Sequence, residues 1–289
     1  MNSKLKTKKV ALFIISAFLL TSFNAVWAND NDDHALWTSF EMTKKINKKF
    51  KVGAEFEYRT KDYLKDIERF SAGVNLQYKI TEWLKATAGH IFILGYNNSE
   101  TKTHFDDKVD PPVEDGWNYE HSYWEKRNRV YLAITGETKI GRFKLSLRER
   151  LQYTRTHAEI IEEDKHRFGI EVKEEYDALG NISGTKTVVN WEDPVTELET
   201  KKHKNNTVLR SRFTVKYDIP KCKITPFASF ELYSRVDKWK NYDKFRARIG
   251  ASYSINKDNA IELYYLCEKF EKKGSGDTHV IGVGYSLDL

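Results

Sequence analysis

From residue 34 onward, apolar and polar residues alternate with a period of two in segments of about ten or more residues, and helical periodicity is almost absent. Along Phe143–Tyr153 the residues Phe143, Leu145, Leu147, Leu151 and Tyr153 share one face, while Lys144, Ser146, Arg148, Arg150 and Gln152 share the other. Leu209–Tyr217 sets Leu209, Phe213, Val215 and Tyr217 against Arg210, Arg212, Thr214 and Lys216. Phe245–Ile255 repeats the pattern with Arg246 and Arg248 on its polar side. Each such strand has one greasy and one charged face. Glu149 alone interrupts the first apolar row, which predicts a bulge there or a place near a membrane interface.

The pattern gives strands near 35–43, 50–60, 67–80, 83–96, 118–137, 142–157, 206–219, 224–236, 243–256, 259–271 and 278–289. Short connections alternate with longer polar ones, above all 97–117 and 158–205. These features predict an all-β chain, an antiparallel up-and-down transmembrane β-barrel with short periplasmic turns and long extracellular loops. Eleven segments are visible, but bacterial single-chain barrels have even numbers, so about twelve strands are expected, with ten next. The 158–205 loop reads as a hairpin above the membrane. The competing reading is a soluble secreted or periplasmic β-protein with its apolar face turned inward. Strand length, loop alternation and aromatic residues near strand ends favour the membrane version. Trp37, Trp83, Trp124 and Trp239 are expected in the interfacial girdles.

Composition sharpens the picture in three places. Lys4, Lys6, Lys8 and Lys9 precede the uncharged run Val10–Leu20, and Ala28 closes the segment, so residues 1–28 read as a secretory signal peptide and 29–289 as the barrel. Four lysines leave with that peptide, which takes the formal charge from +6 to about +2 and removes the case for a nucleic-acid partner. A mean hydropathy of -0.65 excludes a helical multispan protein. Two cysteines, Cys222 in a turn and Cys267 on a strand, are too few for a disulfide scaffold or a Cys-rich metal site and too far apart to bridge.

If the apolar face meets lipid, Arg148, Arg150, Arg210, Arg212, Arg246 and Arg248 point into the lumen with Glu55, Glu57, Glu231, Arg235 and Glu262. Two readings of that charge stay open. Arginines and glutamates pair across the interior and hold its shape, or the arginines exceed their carboxylates and bind or conduct a small anionic solute. Enzyme signals are weak: His121-Ser122 is the nearest approach to an acyl-hydrolase nucleophile with its base, but adjacent strand residues face opposite ways, and His157 would have to come from another strand. The acidic run Asp106–Asp115 lacks a calcium-loop spacing and reads as a solvated loop. No catalytic residue, metal or cofactor is expected.

Arg129–Tyr153, Leu209–Asp218, Thr225–Glu231 and Phe245–Tyr253, with the early Leu36–Glu41 and the closing strand, resemble the domain of unknown function 2490 family, barrel-like proteins found mainly in Bacteroidota. The likeness rests on Arg-x-Arg and Pro-x-x-x-x-Glu signatures and covers nearly all of the chain after residue 28. It implies a place in the Gram-negative cell envelope and no particular activity. The expectation is therefore a non-enzymatic, monomeric outer-membrane barrel in contact with lipid, structural or a narrow pore with an anion-preferring lumen.

Overall fold

The computed structural model describes residues 32–106, 113–176, 182–236, 242–271 and 276–289; the expected signal peptide, residues 1–28, and Trp239 lie outside them. In chain order the strands are β1 (Asp33–Lys45), β2 (Phe50–Lys61), β3 (Asp66–Lys79), β4 (Leu84–Asn97), β5 (Glu100–Asp106), β6 (Val113–Glu120), β7 (Tyr123–Ile140) and β8 (Phe143–Thr156). They continue as β9 (Glu159–Tyr176), β10 (Ile182–Trp191), β11 (Val195–Lys201), β12 (Lys204–Tyr217), β13 (Ile224–Arg235), β14 (Tyr242–Ser254), β15 (Asn259–Phe270) and β16 (Thr278–Asp288). Eleven of them close into a barrel in the order β1-β16-β15-β14-β13-β12-β8-β7-β4-β3-β2.

The barrel has eleven strands where twelve were expected, and each corresponds to one of the eleven alternating segments. An all-antiparallel ring needs an even number, but here β1 and β16 run parallel, from Asp33 opposite Thr278 to Thr43 opposite Asp288. That one parallel seam lets an odd number close. The N-terminal end of β1 thus lies among the long loops, while β16 ends among the short turns.

Burial is inverted relative to a soluble protein. Outward residues such as Val74 (62% exposed), Leu132 (65%) and Leu263 (53%) are open, whereas inward Arg210 (8%) and Glu231 (2%) are covered. Trp37 departs from the girdle expectation. It shares the inward face of β1 with Ala35, packs with Leu266 and Val280, and lies beneath the Arg59 guanidinium at 3.4 Å. Trp83 and Trp124 stay exposed near strand ends, as a girdle requires.

Glu149 also departs from expectation. Neither β8 pairing contains a register shift, so no bulge removes it from the outer wall. It sits at mid-strand, where the Ser211 hydroxyl of β12 donates to its carboxylate at 2.6 Å.

The long connections form a second sheet at the loop end, in the order β10-β9-β6-β5 with β11 also on β9. The 158–205 loop does contain the expected hairpin, β9 with β10, and adds β11. The expected strand 118–137 is divided at His121 and Ser122, and β5 and most of β6 fall in what read as loop. In β5, Glu100-Thr-Lys-Thr-His104 alternates polar with polar and gives no period-two contrast.

Two tyrosines lie flat along the inner wall because their cross-strand partners are glycines. Tyr131 covers Gly89 and Tyr264 covers Gly282, each directly opposite in register. A Cβ at Gly282 would fall within the Tyr264 ring. Gly282→Val should therefore destabilise the folded barrel by about 1–3 kcal/mol through overpacking, read as a lower urea midpoint in detergent micelles; an unchanged midpoint would show that the ring is free to swing away.

Candidate functional site: the charged lumen

Inward-facing residues from most strands line a cavity of about 560 Å³. Nine arginines and three lysines border it, against six glutamates. All eight expected site residues lie on this inner face, Arg148, Arg150, Arg210, Arg212, Glu231, Arg246, Arg248 and Glu262, and so do Glu55 and Glu57.

Strand register explains why these charges meet. Arg150 lies directly opposite Arg210, and Arg148 opposite Arg212, on the neighbouring strands β8 and β12. Like charges so placed repel. On the next strand, Glu231 stands opposite Arg212 on one side and Arg246 on the other. Its carboxylate accepts from Arg148 at 2.9 Å, Arg210 at 2.9 Å and Arg212 at 3.0 Å, and the Tyr233 hydroxyl donates to it at 3.0 Å. One buried carboxylate thereby serves three guanidinium groups.

A second cluster repeats the device. Arg59 of β2 lies opposite Arg69 of β3, and Glu57 accepts from both at 2.8 Å. Arg248 pairs with Glu262 at 3.1 Å, while Arg246 pairs with Glu268, which also takes Lys244 at 3.0 Å. Near the turn end, Glu137 holds Lys85 at 2.6 Å and Lys144 at 2.9 Å.

Two arginines of the lumen cavity have no ion-pair carboxylate among the described residues. Arg129 donates to the Thr154 hydroxyl at 3.0 Å, and Arg150 lies 4.0 Å over the Tyr131 ring. Five lumen arginines, Arg59, Arg69, Arg148, Arg150 and Arg210, keep a buried Nε–H with no protein acceptor. Aromatic faces take up part of the charge: Arg248 sits 4.8 Å from both the Phe227 and Tyr264 rings. The lumen thus combines an ion-pair network with more cationic than acidic side chains along its cavity. Sequence reasoning missed Arg129, Arg69 and Arg59 and the carboxylates Glu268 and Glu137; Arg129 sits at an inward position of β7 and Arg69 of β3, and parity alone would have found them.

Residues 34–279 match a family model described as "Protein of unknown function (DUF2490)". The chain belongs to this family. No curated protein matches it. A solved structure described as "NanC porin structure in rhombohedral crystal form" is similar to this DUF2490 member at 12% identity and a TM-score of 0.43, over 89% of this chain and 99% of that one.

The remaining candidates are separate from the lumen. His121 turns to Asp164 at 2.8 Å, and His157 bonds Asn128 at 2.8 Å; neither is bonded to Ser122. Of the acidic run Asp106–Asp115, residues 107–112 lie outside the described residues. Cys222 and Cys267 are both free.

In the loop-end sheet, Glu120 of β6 stands opposite Glu163 of β9, and Glu199 joins them. Burial works against ionising Glu120, but Lys102 at 2.5 Å and Lys201 at 2.7 Å outweigh it and hold this carboxyl below the usual glutamate range. Burial raises Glu163, and its hydrogen bond with Glu199 raises it further. An acid raised in the folded state loses stability as pH climbs from the ordinary glutamate value through its folded value. Glu163→Gln removes that loss while keeping a donor for Glu199. The variant's loop-end sheet should resist limited proteolysis better than wild type at pH 8 and equally at pH 4; no difference at pH 8 would count against a shared proton.

In the lumen, Glu231→Ala leaves three buried guanidiniums without their carboxylate and should cost about 3–5 kcal/mol of barrel stability. Arg150→Gln breaks no ion pair and should cost under about 1 kcal/mol. Urea titration of heat-modifiable migration on a gel compares the two, and equal losses would show that Glu231 is no keystone.

Proposed function

We propose that the protein is a non-enzymatic outer-membrane β-barrel, a narrow pore whose lumen prefers anions. The observation that carries this reading is the set of five buried arginine Nε–H groups without a protein acceptor, in a wall where cations outnumber carboxylates twelve to six. A lumen purely for shape would match each guanidinium with acceptors, because a buried unpaired donor costs free energy. Fixed positive charge in a narrow passage raises the local concentration of small anions and repels cations. The apolar outer wall supports membrane embedding, since a soluble barrel would not turn Val74, Leu132 and Leu263 to water. The partners that follow are membrane lipid outside and a small anionic solute inside, with the barrel monomeric.

Fractionation should place the chain in the outer membrane with heat-modifiable migration, and recovery in the soluble periplasm would end the membrane reading. In planar bilayers under a KCl gradient, the wild-type reversal potential should have the sign for chloride. Arg129→Gln with Arg150→Gln removes two cations that hold no carboxylate, so it should move that potential toward zero with the fold kept. A barrel that inserts but never conducts would refute the pore.

A further inference from the structure

The outer wall carries a polar patch that the lumen does not account for. On β7 and β8, alternation brings Lys126, Asn128, Arg155 and the following His157 to the outer face near the loop end. The His157 backbone N–H donates to the Lys126 carbonyl at 2.9 Å, which sets those two residues opposite each other, and Asn128 lies opposite Arg155. At the loop ends of β2–β3 and β13–β14 the corresponding outward positions are greasy, with Tyr58 opposite Phe70 and Leu232 opposite Phe245. Polar groups on this face are costly unless something polar meets them there.

The patch is built to donate. The Asn128 amide oxygen accepts from His90 Nε2 at 3.0 Å, and its amide nitrogen donates to His157 Nε2 at 2.8 Å. With Nε2 accepting, the neutral His157 ring carries its proton on Nδ1 and offers it as a donor, a tautomer assigned from this network. Arg155 is exposed and has no ion-pair partner among the described residues. Lys126 is more than half exposed and reaches Glu159 only at 3.5 Å. A guanidinium fork, an ammonium and an imidazole N–H at the membrane interface fit a phosphate group, since Arg binds it bidentately and Lys as a point charge. On the outer-membrane reading, an outward face beside the loop end is level with the headgroups of the surrounding leaflet.

We propose that Arg155, Lys126 and His157 form an outer-wall site for the phosphorylated headgroup of an outer-leaflet glycolipid. The inference rests on the outer-membrane reading, which places the loop end at the cell surface. The test is native mass spectrometry of the full folded chain in detergent, titrated with bisphosphorylated lipid A, dephosphorylated lipid A or inorganic phosphate. Wild type should retain the bisphosphorylated lipid about tenfold better than the dephosphorylated one, and Arg155→Gln with Lys126→Gln should abolish that difference. Equal retention of both lipids, or equal binding by wild type and variant in a heat-modifiable barrel, would overturn the site alone. Full competition by millimolar inorganic phosphate would overturn the lipid assignment in favour of free phosphate. A chain that forms no heat-modifiable barrel at all would fail at the earlier step, and the membrane reading would fall with it.

Discussion

Three guanidinium groups on two adjacent strands would push β8 and β12 apart if the carboxylate of Glu231 were not set between them. Arg148, Arg210 and Arg212 converge on it, and Tyr233 supplies a further hydrogen bond. The same solution appears at Glu57, between the cross-strand neighbours Arg59 and Arg69. A barrel of this size is too wide to fill with small residues and too narrow for bulk water along its whole length. Long arginines that meet over shared carboxylates span the interior, and because each carboxylate serves more than one cation, the wall they build stays positive. The shape of the interior and its surplus of positive charge then come from the same few contacts, which ties any change in one to the other.

The period-two alternation was enough to mark all eleven wall strands and the inward face of every expected charged residue. What misled was a count rule: evenness follows only when every neighbour is antiparallel, and nothing in the local pattern of β1 or β16 reveals that they pair in parallel. Trp37 was misplaced because a tryptophan near a strand end fits a girdle as well as an interior, and only its parity with Ala35 settles it. Which arginine meets which glutamate could not be read either. Arg148 reaches Glu231 across β12, 83 positions away, so the contact depends on the register of three strands at once. β5 escaped for a plainer reason, that a strand polar on both faces carries no contrast.

The outer wall shows how the fold tolerates polar groups where lipid is expected. Ser211 gives Glu149 a hydrogen bond from the neighbouring strand, and Asn128 links His90 to His157. In each case the polar residue finds its first partner on an adjacent strand at the same face, which lowers but does not remove the cost of leaving water. The inner wall meets its own constraint with glycine: Gly89 and Gly282 let Tyr131 and Tyr264 lie flat and leave the centre to the arginines.

The parallel seam has a kinetic meaning. Ten of the eleven pairings join strands that follow one another around the wall, several through tight turns, and can zip up as successive hairpins. The eleventh brings together the two extremes of the wall, with Thr43 bonded to Asp288, 245 positions away. Loop-closure entropy falls most heavily on such a contact, and parallel pairing returns slightly less per residue than antiparallel pairing. Ring closure at β1 and β16 is therefore the natural last and slowest event of assembly, and the same line is where the cylinder would first unzip.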